Sequence, residues 1–267
     1  MRPNSGINEV HASLLGADYG QVAAYLRDRD PQRRRSYWGY IDGNGERAVY
    51  ALNDSAQSVT FQSESLLPAD DRGRPRVLLL FSNAHPESIR NGMFHTAEGR
   101  VSGLWTDLCA VRLFSGDRTT LEGADRLRGH CLNVDYEGAF ALGFACYWVF
   151  PTFHPDHLSK LFGPAMEPPG FEETKGRLNR LLENWQPKAI ISFNGKVLKA
   201  LTGENPRGFT RQLPRELIRM TYRASGNEYP VFQTYPTGWR YASNATQLRR
   251  ESLRRIANTI QSHIGRR

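Results

Sequence analysis

The sequence predicts an α/β fold: a three-layer α/β/α sandwich around a short, mainly parallel, four-stranded sheet, with a small β-containing appendage at the N-terminus. Short apolar runs recur along the chain, as expected of strands buried on both faces of a parallel sheet. Segments with apolar residues at helical spacing separate these runs, which is the alternation of a parallel sheet with crossover helices. The runs occupy residues 77–81, 140–150, 188–193 and 230–233.

The N-terminal part divides into a helical and a β segment. Residues 1–35 are partly amphipathic, and the charged stretch ending in Pro31 is typical of a helix end. Residues 36–66 contain two aromatic or β-branched runs around an Asp-Gly-Asn-Gly stretch, which favours a β-hairpin. Residues 68–75, rich in Asp, Arg and Gly, are the best candidate linker. We therefore assign residues 1–70 to the appendage and residues 71–267 to the α/β domain.

Each later apolar run is followed by turn-forming residues and then by a helical pattern. Helices are predicted from Gly103, over residues 171–185, over residues 197–201 and over residues 246–264, whereas residues 115–137 show little periodicity. Right-handed crossovers place the ends of parallel strands on one rim, where ligands bind in open α/β sheets. We expect the loops at Asn83, residues 150–151, Asn194 and Tyr235 to converge there.

Composition limits the class of protein. The 267 residues carry a formal net charge of +8, which favours polyanionic partners, although a pair of solvated basic faces is the alternative. No apolar run approaches the roughly 20 residues of a membrane helix, and the N-terminus lacks an apolar signal core. We therefore expect a cytoplasmic protein without membrane contact. The three cysteines are widely spaced, which predicts buried or half-buried thiols rather than a disulfide framework, a zinc finger or an iron–sulfur cluster.

Four strand-end segments resemble, in order and spacing, those of the uracil-DNA glycosylase superfamily. Ser-Asn-Ala-His-Pro at 82–86 stands where several branches have a Gly-x-Asn-Pro-Gly-type loop, and Gly-Met-Phe at 92–94 and Leu-Trp at 104–105 follow it. Phe-Asn-Gly-Lys at 193–196 resembles the family's Phe/Leu-x-Gly-Lys segment, and Tyr-Pro-Thr-Gly at 235–238 resembles its His-Pro-Ser-Pro loop. The resemblance covers roughly residues 76–260.

The resemblance implies a DNA glycosylase that hydrolyses the N-glycosidic bond of a damaged or deaminated, uracil-type base. The base must be flipped out of DNA, because its bond to the sugar cannot be reached inside the stack. The departing base must be stabilised as an anion by fixed hydrogen-bond donors. We expect DNA as the partner, a monomer, and no metal or organic cofactor.

The same resemblance suggests catalytic roles for Asn83, His85 and Tyr235. Asn83 would orient the attacking water, since an amide is not a useful base; the alternative is an Asx-turn or helix cap. His85 could donate to the leaving base or bind a phosphate, or could be a satisfied turn residue. Tyr235 stands where the family has a catalytic His and could donate one hydrogen bond to the developing anion, or could simply be packed. Glu87, the nearest carboxylate, is a further candidate base or a solvated residue of the first helical turn.

The remaining candidates would bind the base or the DNA. Phe94 would stack on the flipped base unless it belongs to the core, Trp148 lies near the family's base-reading Asn, and Asn194 belongs to the third loop. Lys196 would reach a phosphate, while Trp239 and Arg240 suit a wedge pushed into the DNA stack. We expect no metal site at His154 and His157, because Pro155 prevents the regular helical spacing that zinc sites use.

Two other hypotheses stay open. Ala84, Trp148 and Tyr235 replace residues that the family leads one to expect, as in a DNA-binding relative that has lost catalysis. Alternatively, an unrelated α/β enzyme could act on a nucleotide or sugar phosphate at the same rim. The chain has no G-x-G-x-x-G sequence or P-loop, which argues against common dinucleotide and nucleoside triphosphate chemistry.

Overall fold

The computed structural model describes residues 9–15, 17–28, 35–44, 48–97, 100–115, 123–168, 174–204, 216–237 and 244–264. Within these ranges the backbone forms eleven strands, eight α-helices and two short 3-10 turns. The strands are β1 (Glu9–Leu15), β2 (Tyr50–Asn53), β3 (Ser58–Ser63), β4 (Ser65–Leu66), β5 (Arg76–Asn83), β6 (Thr96–Ala97), β7 (Arg100–Val101), β8 (Ala141–Trp148), β9 (Ala189–Ser192), β10 (Arg219–Ala224) and β11 (Asn227–Gln233). The helices are α1 (Ala17–Arg27), α2 (Pro86–Asn91), α3 (Gly103–Ala110), α4 (Ala124–Leu132), α5 (Pro155–Phe162), α6 (Thr174–Trp185), α7 (Gly195–Thr202) and α8 (Ala245–Ile264).

A mixed sheet organises the α/β fold. In the described chain it has six strands in the order β10-β11-β9-β5-β8-β4. Its inner strands β11, β9, β5 and β8 are mutually parallel, as the apolar runs predicted. The prediction of a four-stranded sheet is wrong, because β10 and β4 add antiparallel edges. Neither edge has an apolar signature: β10 exposes alternate residues and β4 is two residues long.

The two central strands are buried on both faces. Every residue of β8 is buried, and residues 77–80 of β5 are inaccessible to solvent. Gly143 of β8 lets α6 pack closely, because a Cβ there would lie 2.6 Å from the Trp185 ring. The Trp185 indole donates to the Pro68 carbonyl at 3.0 Å and fixes the chain that leads into β5.

The N-terminal segment differs from its prediction. Residues 9–15 form a strand that pairs with β3, and α1 is the helix among the described residues of this segment. The prediction of a hairpin around the Asp-Gly-Asn-Gly stretch is wrong in its location: β2 and β3 form a hairpin that turns at residues 54–57, and residues 38–40 form a 3-10 turn instead of a strand. That turn keeps Tyr37 in an aromatic cluster, where its hydroxyl lies 2.8 Å from Nδ1 of His157 and accepts the Phe153 N–H. The boundary at residue 70 stays a prediction; β4, which precedes it, pairs with β8 of the central sheet.

The other predicted helices are confirmed, whereas three described helices, α2, α4 and α5, were not predicted. Helices α3, α6, α7 and α8 lie where the apolar spacing places them. Helix α4, within the segment that showed little periodicity, was missed because its sequence is mostly polar and buries only Leu127 and Cys131. Cys131 and Cys146 are buried and Cys109 is half-buried, as predicted. Among the helices described, none combines the length and the apolar character that crossing a membrane would require.

Candidate functional site

A cavity of about 620 Å³ lies at the carboxyl ends of the central strands. It has the size of a small-molecule pocket and stands where ligands bind in open α/β sheets. Seven parts of the described chain form its wall. They are Arg35, Glu64 between β3 and β4, the end of β5 with the start of α2, the loop around β6 and β7, the end of β8 with the loop after it, the loop after β9 and the loop after β11. The predicted residues that line it are Asn83, His85, Phe94 and Asn194.

One side of the cavity is aromatic. Phe81, at the end of β5, stacks on Phe193 with ring centroids 4.9 Å apart and planes inclined by 19°. The rings of Phe94 and His95 lie 5.7 and 4.6 Å from the Phe81 ring. Trp105 fixes this loop, because its indole donates to the Phe94 carbonyl at 3.0 Å. Phe81, Phe94 and Phe193 are all buried, and they belong to the hydrophobic core as well as to the cavity lining.

Asn83 connects two parts of the wall. Its Nδ2 donates to the Thr152 carbonyl at 2.7 Å, to the Thr152 hydroxyl at 2.9 Å and to the Ala84 carbonyl at 2.9 Å. The Ser82 hydroxyl lies 3.1 Å from Oδ1 and donates to it. Because a carbonyl oxygen has two lone pairs, Oδ1 retains capacity to accept from a water or a ligand. The amide hydrogens are engaged by Thr152, in the loop after β8, and by the Ala84 carbonyl.

His85 is the N-cap of α2 and is neutral. Burial, and secondarily the charge of Arg35, lower its pKa to about 4. Its Nδ1 lies 3.3 Å from the Glu87 backbone nitrogen, and its Nε2 lies 3.1 Å from Nη1 of Arg35. A neutral imidazole has one acceptor nitrogen, so the ring accepts from only one of these donors. Glu87 is buried, lies 3.9 Å from Arg90 and does not line the cavity.

The third predicted loop is a helix start. The Asn194 side chain caps α7 by accepting the Lys196 N–H at 2.8 Å, and it also lines the cavity. The Lys196 ammonium lies 2.8 Å from Asp156 of α5, and this hydrogen bond lowers the pKa of the Asp156 carboxyl. Lys196 itself is half exposed and not part of the cavity wall. Its role as a DNA contact stays a prediction.

Tyr235 and Trp148 do not line the cavity either. Tyr235 is fully buried, and its pKa is raised by burial, with Arg255 and Glu251 of α8 as the charges that act on it. The prediction that Asn83 and Tyr235 face one cavity is therefore wrong. The neighbouring residues 236–237 line the wall instead. Trp148 is also buried, with its ring perpendicular to that of Tyr147, and Cys146 is the residue of β8 that lines the cavity.

Trp239 and Arg240, the predicted DNA wedge, lie outside the described residues.

A buried ion network holds the loop after β11. Asp107 of α3 accepts from Arg249 at 2.6 Å and from Arg250 at 2.6 Å, and Asp107 and Arg249 are almost wholly buried. Nη1 of Arg249 also donates to the Pro236 carbonyl at 3.2 Å. The network thus connects α3 and α8 to residues 236–237, which line the cavity.

Sequence reasoning missed Glu64, which lies between β3 and β4. Glu64 is one of the residues that line the cavity, and its Oε1 accepts the His85 N–H at 3.3 Å. Burial raises the pKa of Glu64 to about 8. The signal in the sequence is weak: a single Glu within an otherwise uncharged stretch that we assigned to an appendage.

A second cavity, of about 560 Å³, lies at the amino-terminal end of β9, between residues 186–189 and the end of α8. None of the predicted site residues lines it.

A scan against models of known protein families and a search of curated proteins both find no match for this chain.

Proposed function

We propose that this protein is a DNA glycosylase-like enzyme, which hydrolyses the N-glycosidic bond of a damaged or deaminated base flipped out of DNA. The observation that carries the proposal is the cavity at the strand ends. It has an aromatic side built around Phe81, Phe94 and Phe193, and a polar side with Asn83 and His85. A planar base with hydrogen-bonding edges matches both sides.

The polar side of the cavity would position the attacking water rather than act as a general acid or base. Oδ1 of Asn83 would orient a water toward the sugar carbon, since it can accept one more hydrogen bond. Neutral donors close to the departing base would stabilise its developing negative charge. Tyr235 is not part of this mechanism, because it is buried away from the cavity.

DNA is the proposed partner because of charge. The net charge of +8 favours a polyanion, Arg35 lines the cavity, and Lys196 is half exposed beside it. The proposal includes a monomer with a three-layer α/β/α arrangement and an N-terminal appendage.

The second candidate is a relative that binds DNA without cleaving it. Two observations favour it. The amide hydrogens of Asn83 are engaged by Thr152 and Ala84. Glu64 is the only carboxyl among the described residues that line the cavity, and with a pKa of about 8 it is largely protonated at neutral pH. The described residues of the cavity wall therefore include no ionised carboxylate that could act as a general base.

The test is the formation of abasic sites. Purified protein is incubated with single-stranded and duplex oligonucleotides that carry uracil, hypoxanthine, xanthine or hydroxymethyluracil, and alkali-labile breaks are counted. The proposal predicts breaks with wild type and with Asn258→Ala, which alters an exposed asparagine of α8. It predicts about a hundredfold fewer breaks with Asn83→Ala, by analogy with the loss of one positioning group.

The folding of Asn83→Ala is checked separately by urea unfolding, because this amide holds the loop after β8. The absence of breaks on all substrates would refute the glycosylase. Salt-dependent binding in that case would favour the non-catalytic relative.

A further inference from the structure

Glu64 has an oxygen atom without a protein partner. The side chain is 4% exposed, and its Oε1 accepts the backbone N–H of His85. No group among the described residues forms a hydrogen bond with Oε2, although this oxygen is buried. A buried polar atom without a partner is costly, so its retention in a cavity wall points to a ligand that completes it.

The surroundings of Glu64 do not favour its ionised form. His85 and His95, which line the same cavity, have pKa values lowered by burial to about 4 and about 3, so neither supplies a positive charge near neutral pH. The backbone hydrogen bond from His85 favours the carboxylate, but desolvation outweighs it. The other charged or titratable side chains in the described cavity wall are Arg35, Cys146 and His154.

The two oxygen atoms of the carboxyl group therefore have different roles. Oε1 is occupied as an acceptor, and in the protonated acid Oε2 carries the hydrogen. An O–H group matches a carbonyl oxygen on a ligand. It does not match an exocyclic amino group, because two donors then face each other and both lose a hydrogen bond.

We propose that Glu64 is a specificity residue, whose Oε2–H donates a hydrogen bond to a carbonyl oxygen of the bound base, so that the cavity selects oxo-bases over amino-bases. This inference rests on the proposed function, since it names the class of base that the cavity accepts. Uracil against cytosine is the simplest pair that differs in this way, with an oxo group in place of an amino group. Deamination converts the second base into the first.

Glutamine is the matched replacement for this role. The amide of Glu64→Gln keeps an acceptor for the His85 N–H and a donor in place of Oε2–H, but it does not titrate. Glu64→Ala removes the donor. Comparing the two separates the hydrogen bond from the mere presence of a side chain, and comparing wild type with Glu64→Gln separates protonation from donation.

The experiment measures binding to oligonucleotides that cannot be hydrolysed. Single-stranded probes carry one 2′-fluoro-arabino uracil or cytosine nucleotide in the same sequence, which removes differences in base pairing. Fluorescence anisotropy at fixed salt gives the affinity ratio of uracil to cytosine for each protein at pH 6.5 and at pH 9. We expect wild type to favour uracil about tenfold at pH 6.5, as for one buried hydrogen bond.

The variants and the pH decide the outcome. We expect Glu64→Ala to bring the ratio near one, and Glu64→Gln to keep it above one at both pH values. In wild type the ratio should fall at pH 9, where the carboxyl has lost its proton. A wild-type ratio near one at pH 6.5, a preserved preference in Glu64→Ala, or equal pH dependence in wild type and Glu64→Gln would overturn the inference.

The two proposals can fail separately. If wild type prefers uracil through Glu64 but forms no abasic sites on ordinary substrates, the hydrolytic function fails and the role of Glu64 stands. If abasic sites form but Glu64→Ala retains the uracil preference, the role of Glu64 fails and the glycosylase stands.

Discussion

The protonation of Glu64 in the folded protein can be tested without DNA, through the stability of Glu64→Gln. Burial raises the pKa of this carboxyl from 4.5 to about 8. Between these values the unfolded chain releases the proton and the native protein keeps it, so the free energy of unfolding of wild type falls as the pH rises. Above pH 8 both states have lost the proton and the effect levels off.

The size of the effect follows from the same two values. The pKa difference between the native and the unfolded protein, at about 1.4 kcal/mol for each pKa unit, corresponds to a loss of about 5 kcal/mol in the free energy of unfolding. Relaxation around a buried charge and water entry reduce such penalties, so we expect a change of about 2–5 kcal/mol. The amide of Glu64→Gln does not titrate and keeps the hydrogen bond from the His85 N–H. The free energy of unfolding of the variant should therefore not fall with pH in this way.

The assay is urea unfolding of both proteins at pH 5, 6, 7, 8 and 9. We expect the free energy of unfolding of Glu64→Gln, relative to wild type, to rise steadily from pH 5 to pH 8 and then to level off. The titrations of His85 and His95 occur in both proteins and cancel in the difference. The control Glu137→Gln changes an exposed carboxyl and should show no comparable rise. A difference that does not change with pH would refute a protonated Glu64.

Three further predictions concern other contacts. Asp107→Asn leaves the buried Arg249 without its counter-charge and should lower the free energy of unfolding by about 3–5 kcal/mol, measured in urea; a loss below 1 kcal/mol would contradict the network. Gly143→Ala places a methyl group within 2.6 Å of Trp185 and should cost about 1–3 kcal/mol by the same measurement; unchanged stability would mean that α6 moves freely. Lys196→Ala should weaken DNA binding equally for all sequences and reduce the salt slope by about one; an unchanged slope would exclude a phosphate contact.

The central strands could be predicted from sequence because their environment is uniform. A strand covered on both faces needs apolar residues at nearly every position, and β5, β8 and β9 have them. Strand β10 could not be found in this way, since it lies at an edge and buries only Tyr222 and Ala224. Its pairing depends on the turn at Ser225 and Gly226, both with positive φ, as in the tight turns of hairpins.

The candidate site was predicted in part for a similar reason. Asn83, Phe94 and Asn194 follow strand ends or motif residues, so sequence order alone brings them to one rim. The orientation of Tyr235 could not be read in this way, because the direction of a side chain after a strand end depends on local backbone geometry. Glu64 enters the cavity from a segment that pairs at the far edge of the sheet, a contact with no local signal.

The structure of the protein bound to single-stranded DNA with one 2′-fluoro-arabino uracil nucleotide tests the central claim most directly. The account predicts the uracil ring inside the cavity, packed on the Phe81 and Phe94 side, with a carbonyl oxygen within hydrogen-bond distance of Oε2 of Glu64. An empty cavity with the base held elsewhere on the protein, or left stacked on its neighbours, would contradict it.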